Sequence, residues 1–408
     1  MAADVIPLLA LVALIAVAYL HPRWWIEAAA AVAAAGAVLT TGALDVHEAR
    51  DETSRIGPVV VFLVAILAVA ESCRANGVFE AAGARLRGLR DRRTLLGLTF
   101  AIATVVTVTL SLDATVVLLT PVVLAATSRR FLAGELACVR LANSASLLVP
   151  VANLTNLLML PHLHLTFARF ALLMAPSWVV VLIVEYATLR VVAAENPVPA
   201  TPEPTAGRTR VPAFPVAVVA LMLVGFALTS PYDVQPAWIA GAAAGVLVVH
   251  DLTLGRNRFR QIVARAHPSF AVFVLGLGIV VAGLGNGWFG SRVAGLVPAD
   301  DHLPGLLAIA ALGAVLANVV NNLPAAMLLA PLVAPLGVTS VLALLIGINV
   351  GSSLTWSGSL ANLLWRRVLV AHGRTPPSRL FHLTAAVASP TAIVLGVLVL
   401  DPWVHLVG

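Results

Sequence analysis

Nearly uncharged stretches of 17 residues or more follow one another along this chain, separated by short polar breaks. That pattern predicts a polytopic all-α membrane protein, because about 20 apolar helical residues cross the hydrocarbon core. The short alternating segments of a membrane barrel are not seen in the sequence. The stretches fall at about 4–20, 23–43, 56–78, 94–127, 137–160, 166–191, 212–231, 236–251, 268–286, 304–337, 340–364 and 380–402. Two of them, 94–127 and 304–337, are too long for one helical crossing of about 30 Å. Each has a polar break near its middle, "SLDAT" from Ser111 and "NNLP" from Asn321. Each is therefore a re-entrant hairpin or a pair of closely joined spans.

Charge decides between these. Hydrophobic residues make up 60% of the 408 and charged residues 11%, against roughly 25% charged in a soluble protein. The net charge of +6 comes with 25 basic residues, all Arg, sitting in short loops between apolar runs. That distribution carries orientation and is not a nucleic-acid face. If both long runs turn back to the side they left, every Arg cluster falls on one face. The acidic "LDVHEARDETS" loop and Asp300–Asp301 then fall on the other. The expectation is about ten full spans, two re-entrant hairpins and two broken helices in the plasma (inner) membrane, with both termini outside. The first run, Val5 to Leu20, lacks a basic leader and is expected to be retained.

Five full spans in each half require the halves to be inverted, the arrangement of many secondary transporters. The expected division is an N-terminal repeat over 1–192, a cytoplasmic linker over 193–211 around the Pro-rich "ENPVPATPEPTAGRTR", and a C-terminal inverted repeat over 212–408. Residue pairs support it. "NSASLLVPVANLTNLL" from Asn143 and "NVGSSLTWSGSLANLL" from Asn349 match at a constant offset of 206. Asn143 falls on Asn349, Ser146 on Ser352 and Asn156 on Asn362. In the hairpins, Pro121 of "LLTPVV" stands opposite Pro331 of "LLAPLV".

Polar breaks at matching places in two halves point to a midplane binding site, where freed backbone groups and amide or hydroxyl side chains can hold a solute stripped of water. The candidates are Ser111, Asp113, Thr115, Asn143, Ser146, Asn153, Thr155 and Asn156 in the first half. The second half offers Asn318, Asn321, Asn322, Asn349, Ser352, Ser353, Thr355 and Asn362. A carboxylate at mid-span costs about 3 kcal/mol on insertion scales. Three acids fall well inside the stretches, Glu71, Asp113 and Glu185, and none is expected inside those of the second half. Asp113, at the first hairpin's break, is thus the leading candidate for proton or cation coupling, with a fixed salt bridge to Arg140 as its alternative. Glu71 has Arg74 nearby and is a coupling or a structural residue, as is Arg140. Glu185 reads as peripheral or packing. Trp24, Trp25 and Trp365 read as interfacial.

Two cysteines make neither a disulfide framework nor a thiolate-rich metal centre. No "HExxH", nucleophile elbow with partners, or Walker loop is present, so the expectation is a transporter without ATPase motifs, cofactor or metal.

At these residues the chain resembles the arsenite/antimonite efflux permeases. They belong to the ion transporter superfamily, which also holds sodium/proton antiporters and dicarboxylate and citrate carriers. The resemblance rests on "NVVNNLPAAMLLAP", "IGINVGSSLTWSGSLANLLWRRVL", "SLDATVVLLTPVVLA" and "ESCRANGVFEAAGARL", within about 57–165 and 268–367. It implies a secondary carrier with two hairpins and two broken helices meeting at one site, where a proton moves in as arsenite or antimonite moves out. Asp113 takes the place of the family's hairpin Asp, and Asn321 and Asn322 those of the second hairpin. The sequence departs from the family at Leu112, where Asn is usual, at Ala114, where Gly is usual, and in "GSSLTWSG", where a Pro-Asn pair is common. A sodium/proton antiporter is the first alternative and an organic-anion carrier a weaker one. Expected partners are the small inorganic substrate, protons and the bilayer; a homodimer or a docked ATPase subunit is left open.

Overall fold

The computed structural model describes residues 2–20, 24–87, 89, 91–127, 131–195, 210–255, 268–299 and 302–407. Among these the chain is helical, without strands. It starts with α1 (Ala2–Leu20) and α2 (Trp24–Thr40). Next, α3 (Val46–Ala75) begins ten residues before the expected span. The acidic stretch forms its first turns, contrary to the loop expected there. Glu48 accepts the Asp45 N–H at 3.0 Å, and His47–Asp51 and Glu52–Arg55 pair one turn apart. Such local pairs extend a helix past its apolar part. Gly77, at φ 84°, then turns the chain into a short α4 (Val78–Leu86), which the apolar pattern did not separate.

Both long apolar runs break where expected. In the first, α5 (Arg92–Thr109) is followed by α6 (Leu112–Ala126), which includes a π-helical turn. The chain reverses at Ser111, and the Thr107 and Thr115 hydroxyls meet at 2.7 Å across the turn. The two broken helices also form as expected. The first comprises α7 (Leu132–Ser144), two 3₁₀ turns and α8 (Leu154–Leu163). Then follow α9 (Phe167–Glu195), α10 (Ala213–Thr229), α11 (Pro236–Thr253), α12 (Pro268–Asn286) and the short α13 (Trp288–Ala294). Most of the expected linker, residues 196–209, lies outside the described residues. The second long run gives α14 (Leu303–Val320) and α15 (Asn322–Val333), broken at Asn321. The second broken helix comprises α16 (Val338–Gly351), two 3₁₀ turns and α17 (Leu360–Ala371), and α18 (Ser378–Val407) follows. Eight described helices are long and apolar enough to cross a membrane: α3, α5, α9, α10, α11, α12, α14 and α18.

The core sits on α16, buried at every residue from Ser340 to Gly351. Glycine permits its close packing on α14. A Cβ at Gly347 would stand 2.0 Å from the Ala310 carbonyl oxygen, and one at Gly351 2.3 Å from the Ala314 Cβ. Small residues let membrane helices approach this way. Gly347→Ala must push the two backbones apart, and overpacking of this kind costs about 1–3 kcal/mol. The expected result is a lower melting temperature in detergent; an unchanged one would show that the contact is slack.

Two expectations fail. Glu185 is not peripheral: it is fully buried and holds Arg140 through both guanidinium Nε and Nη2, the latter at 2.8 Å, and it also accepts the Ser144 hydroxyl at 2.7 Å. Arg140 is therefore not the partner of Asp113. Trp365 is not interfacial: it is fully buried and stacks on Trp356 and Phe381. Asp251, at the end of the 236–251 stretch and near the end of α11, is buried as well, and takes Ser72 at 2.7 Å and Asn76 at 2.6 Å from the α3 end.

Candidate functional site

The four breaks meet at one place. A cavity of about 40 Å³ is lined by Ser111, Leu112 and Asp113 at the start of α6, and by Asn153, Leu154 and Thr155 at the start of α8. Asn322 and Leu323 begin α15 there, and Leu360 and Ala361 begin α17. Phe62, Leu63 and Ile66 of α3 and Phe270 of α12 supply apolar wall. Four helix N-termini thus converge on a space with room for about three waters.

The caps follow one rule. Ser111 accepts from Ala114 N, Asn153 from Thr155 N, Asn321 from Leu323 N and Ser359 from Asn362 N. Each uses a short polar side chain on the first turn's orphan donors. At both hairpin tips the cap residue has positive φ, 153° at Ser111 and 79° at Asn321, with extended ψ. That region is nearly closed to residues with a Cβ, and holding one there costs on the order of 1–3 kcal/mol. Such strain is typical of functional sites.

The amides divide into two groups. Asn153 and Asn322 line the cavity with Ser111 and Asp113. The rest lock the breaks. Asn156 gives its amide to the Ser146 and Val149 carbonyls at 2.8 and 3.2 Å, and Asn362 gives its own to the Ser352 and Thr355 carbonyls, both at 2.8 Å. Ser146 and Ser352 donate back to the Asn143 and Asn349 carbonyls at 2.7 and 2.8 Å. These bonds recur at the 206-residue offset. Between the two broken helices, Asn143 donates to Asn362 at 2.8 Å and Asn349 to Asn156 at 2.7 Å, while Asn153 and Thr155 donate to Asn349.

Asn318 donates to the Ala314 and Gly351 carbonyls and accepts the Thr355 hydroxyl at 2.8 Å. Asn321 donates to the Ser357 carbonyl at 2.8 Å. Thr115 braces the first hairpin turn, and the buried Ser353 hydroxyl makes no hydrogen bond among the described residues. Gly358 must stay small, for a Cβ there would meet the Ser352 oxygen at 2.1 Å and Asn318 Oδ1 at 2.7 Å.

Among the described residues, the Asp113 carboxylate has no hydrogen bond or ion pair. It lines both the central cavity and a second one of about 530 Å³. The second cavity runs toward the end of the bundle that carries Arg74 and Arg367, with Glu71 and Glu27 also in its wall. Glu71 is held by Arg74 at 2.6 and 2.7 Å. Phe62, Phe270, Leu360 and Ala361 are lining residues that sequence reasoning missed. Apolar side chains and plain backbone leave no signal in an apolar sequence.

Known proteins bear on this geometry. The chain is 27% identical over 290 residues to an "arsenical pump membrane protein" of Escherichia coli, and 29% over 291 residues to one of Yersinia enterocolitica. Each match takes in 63% of this chain and 65% of the relative, just under two thirds of the relative's length. The crystal structure of the Alcanivorax borkumensis YdaH transporter has the same fold. It is 18% identical, with a TM-score of 0.58 over 89% of this chain and 90% of that one. The protein is a membrane transporter with several spans. Residues 5–342 match the citrate transporter model CitMHS, and the chain belongs to that family.

Proposed function

We propose that this transporter exports arsenite and antimonite in exchange for protons, by alternating access at the central cavity, from the plasma membrane. The observation that carries the reading is the convergence of four helix N-termini and one unpaired carboxylate on about 40 Å³ among the described residues. Each N-terminus presents roughly half a positive charge and its backbone donors. Uncharged trihydroxy arsenite brings oxygens to those donors and fits the volume. The relatives named for arsenical pumping support this choice. So does the matching of hydrogen bonds across the 206-residue offset, which is what inverted halves would produce.

The geometry argues against sodium as the cargo. Sodium needs several oxygen ligands, and several of the carbonyls freed at the breaks already accept a side-chain amide, from Asn156, Asn362, Asn318 and Asn321. Asp113 is the one carboxylate among the described residues that line the central cavity.

The test is uptake of arsenite into everted membrane vesicles with an acid interior, beside a sodium/proton dye assay and a citrate competition arm. A gradient of one pH unit is worth about 1.4 kcal/mol, so one-for-one exchange should concentrate arsenite about tenfold. No arsenite flux together with a clear sodium or citrate response would reject the reading.

A further inference from the structure

A third cavity, of about 550 Å³, lies at the opposite end of the bundle from Arg74 and Arg367, walled by Arg55 of α3 and by His164 and Asp233 in loops. The path between it and the central cavity can be traced along two helices. On α3 the lining passes from Ile66 and Leu63 through Phe62 to Val59 and Pro58. On α8 it passes from Leu154 to Leu157 and Leu160. Among the described residues, Phe62 is the one that lines both cavities. It is only 3% exposed. Its ring centroid is 6.1 Å from Phe226, which stacks at 5.7 Å on Phe167, and both of those rings wall the third cavity. Toward the arginine end the junction is different: Asp113, Phe270 and Leu360 are shared by the central and the 530 Å³ cavities.

We infer that the Phe62 ring, backed by Phe226 and Phe167, is the barrier that shuts the central cavity from the outer face, and that the third cavity is the exit vestibule for the small polar solute. An aromatic ring suits this role. It fills the gap between α3 and α8, offers no hydrogen bond to a dehydrated solute, and clears the path by a rotation of its side chain. The inference rests on the central cavity being the transport site but not on which solute it takes.

Thiol labelling tests it without any substrate. Cys73 and Cys138 are both buried and are replaced by Ala. Ile66→Cys then reports on the central cavity, and Leu67→Cys on the 530 Å³ cavity. The probe is anionic, membrane-impermeant sulfonatoethyl methanethiosulfonate, applied to right-side-out and to everted vesicles. With Phe62 present, the thiol of Ile66→Cys should stay nearly unmodified from the outer face. When Phe62→Ala is added, that thiol should react about tenfold faster or more, a barrier lowered by one decade. Phe62→Leu, which keeps most of the apolar volume, should stay close to the parent. Labelling of Leu67→Cys from the arginine side in the same background certifies the fold. An outer rate for Ile66→Cys unchanged by Phe62→Ala, with Leu67→Cys still labelled, overturns the inference. Because no solute is involved, a failed arsenite assay leaves this outcome readable.

Discussion

Asp113→Asn is expected to abolish gradient-driven arsenite accumulation, bringing the concentration ratio in everted vesicles down from about tenfold to about one. Downhill exchange of arsenite should persist. Asp113 opens α6, touches both the central and the 530 Å³ cavity, and has no fixed partner among the described residues. A carboxylate with those properties can take up and release a proton as the cavity's surroundings change. The amide keeps the shape and the polar contacts but cannot carry the proton. Loss of accumulation with retained exchange is therefore the signature of a coupling group. Loss of both would make Asp113 a substrate ligand instead, and an Asn variant that accumulates normally would remove it from the mechanism.

Glu185→Ala should be the most destabilising single change outside the cavity. It strands the Arg140 guanidinium, which is fully buried, and breaking one side of a buried pair costs about 3–5 kcal/mol. Ser144 loses its acceptor in the same step. The damage should reach the site, because Arg140 lies one turn before Asn143, whose amide crosses to Asn362. The measurement is thermal unfolding in detergent. Replacing both partners by Leu removes the uncompensated charge, so Arg140→Leu/Glu185→Leu should recover most of the stability that Glu185→Ala loses. If the double variant is as unstable as the single, the pair's worth lies in its geometry and not in charge compensation.

Much of the candidate site was legible in the residues. Asn321–Pro324 and Ser111–Thr115 announce breaks because amides and proline are costly inside an apolar helix. The pairs at the 206-residue offset located the second break of each half. What could not be read is which amides face the cavity. Asn153 and Asn156 lie three residues apart on the same first turn, yet one lines the cavity and the other closes carbonyls. That choice depends on where the preceding 3₁₀ turns leave their free oxygens. Glu185 gave no sign of its partner, 45 residues away, and Trp365 looked like any interfacial tryptophan until Phe381 closed over it.

The sequence by itself determined the helical membrane class, the places where helices break and the residue types gathered at the breaks. These follow from local physics: apolar length, backbone hydrogen bonding and the exclusion of proline from helix interiors. Tertiary structure alone decided that four N-termini share one cavity, that side-chain amides take several of the freed carbonyls, that Arg140 belongs to Glu185, and that Phe62 stands between two cavities. Each of these depends on the rotation and depth of one helix against another. Those are set by packing over the whole bundle, to which no single stretch of apolar sequence is sensitive.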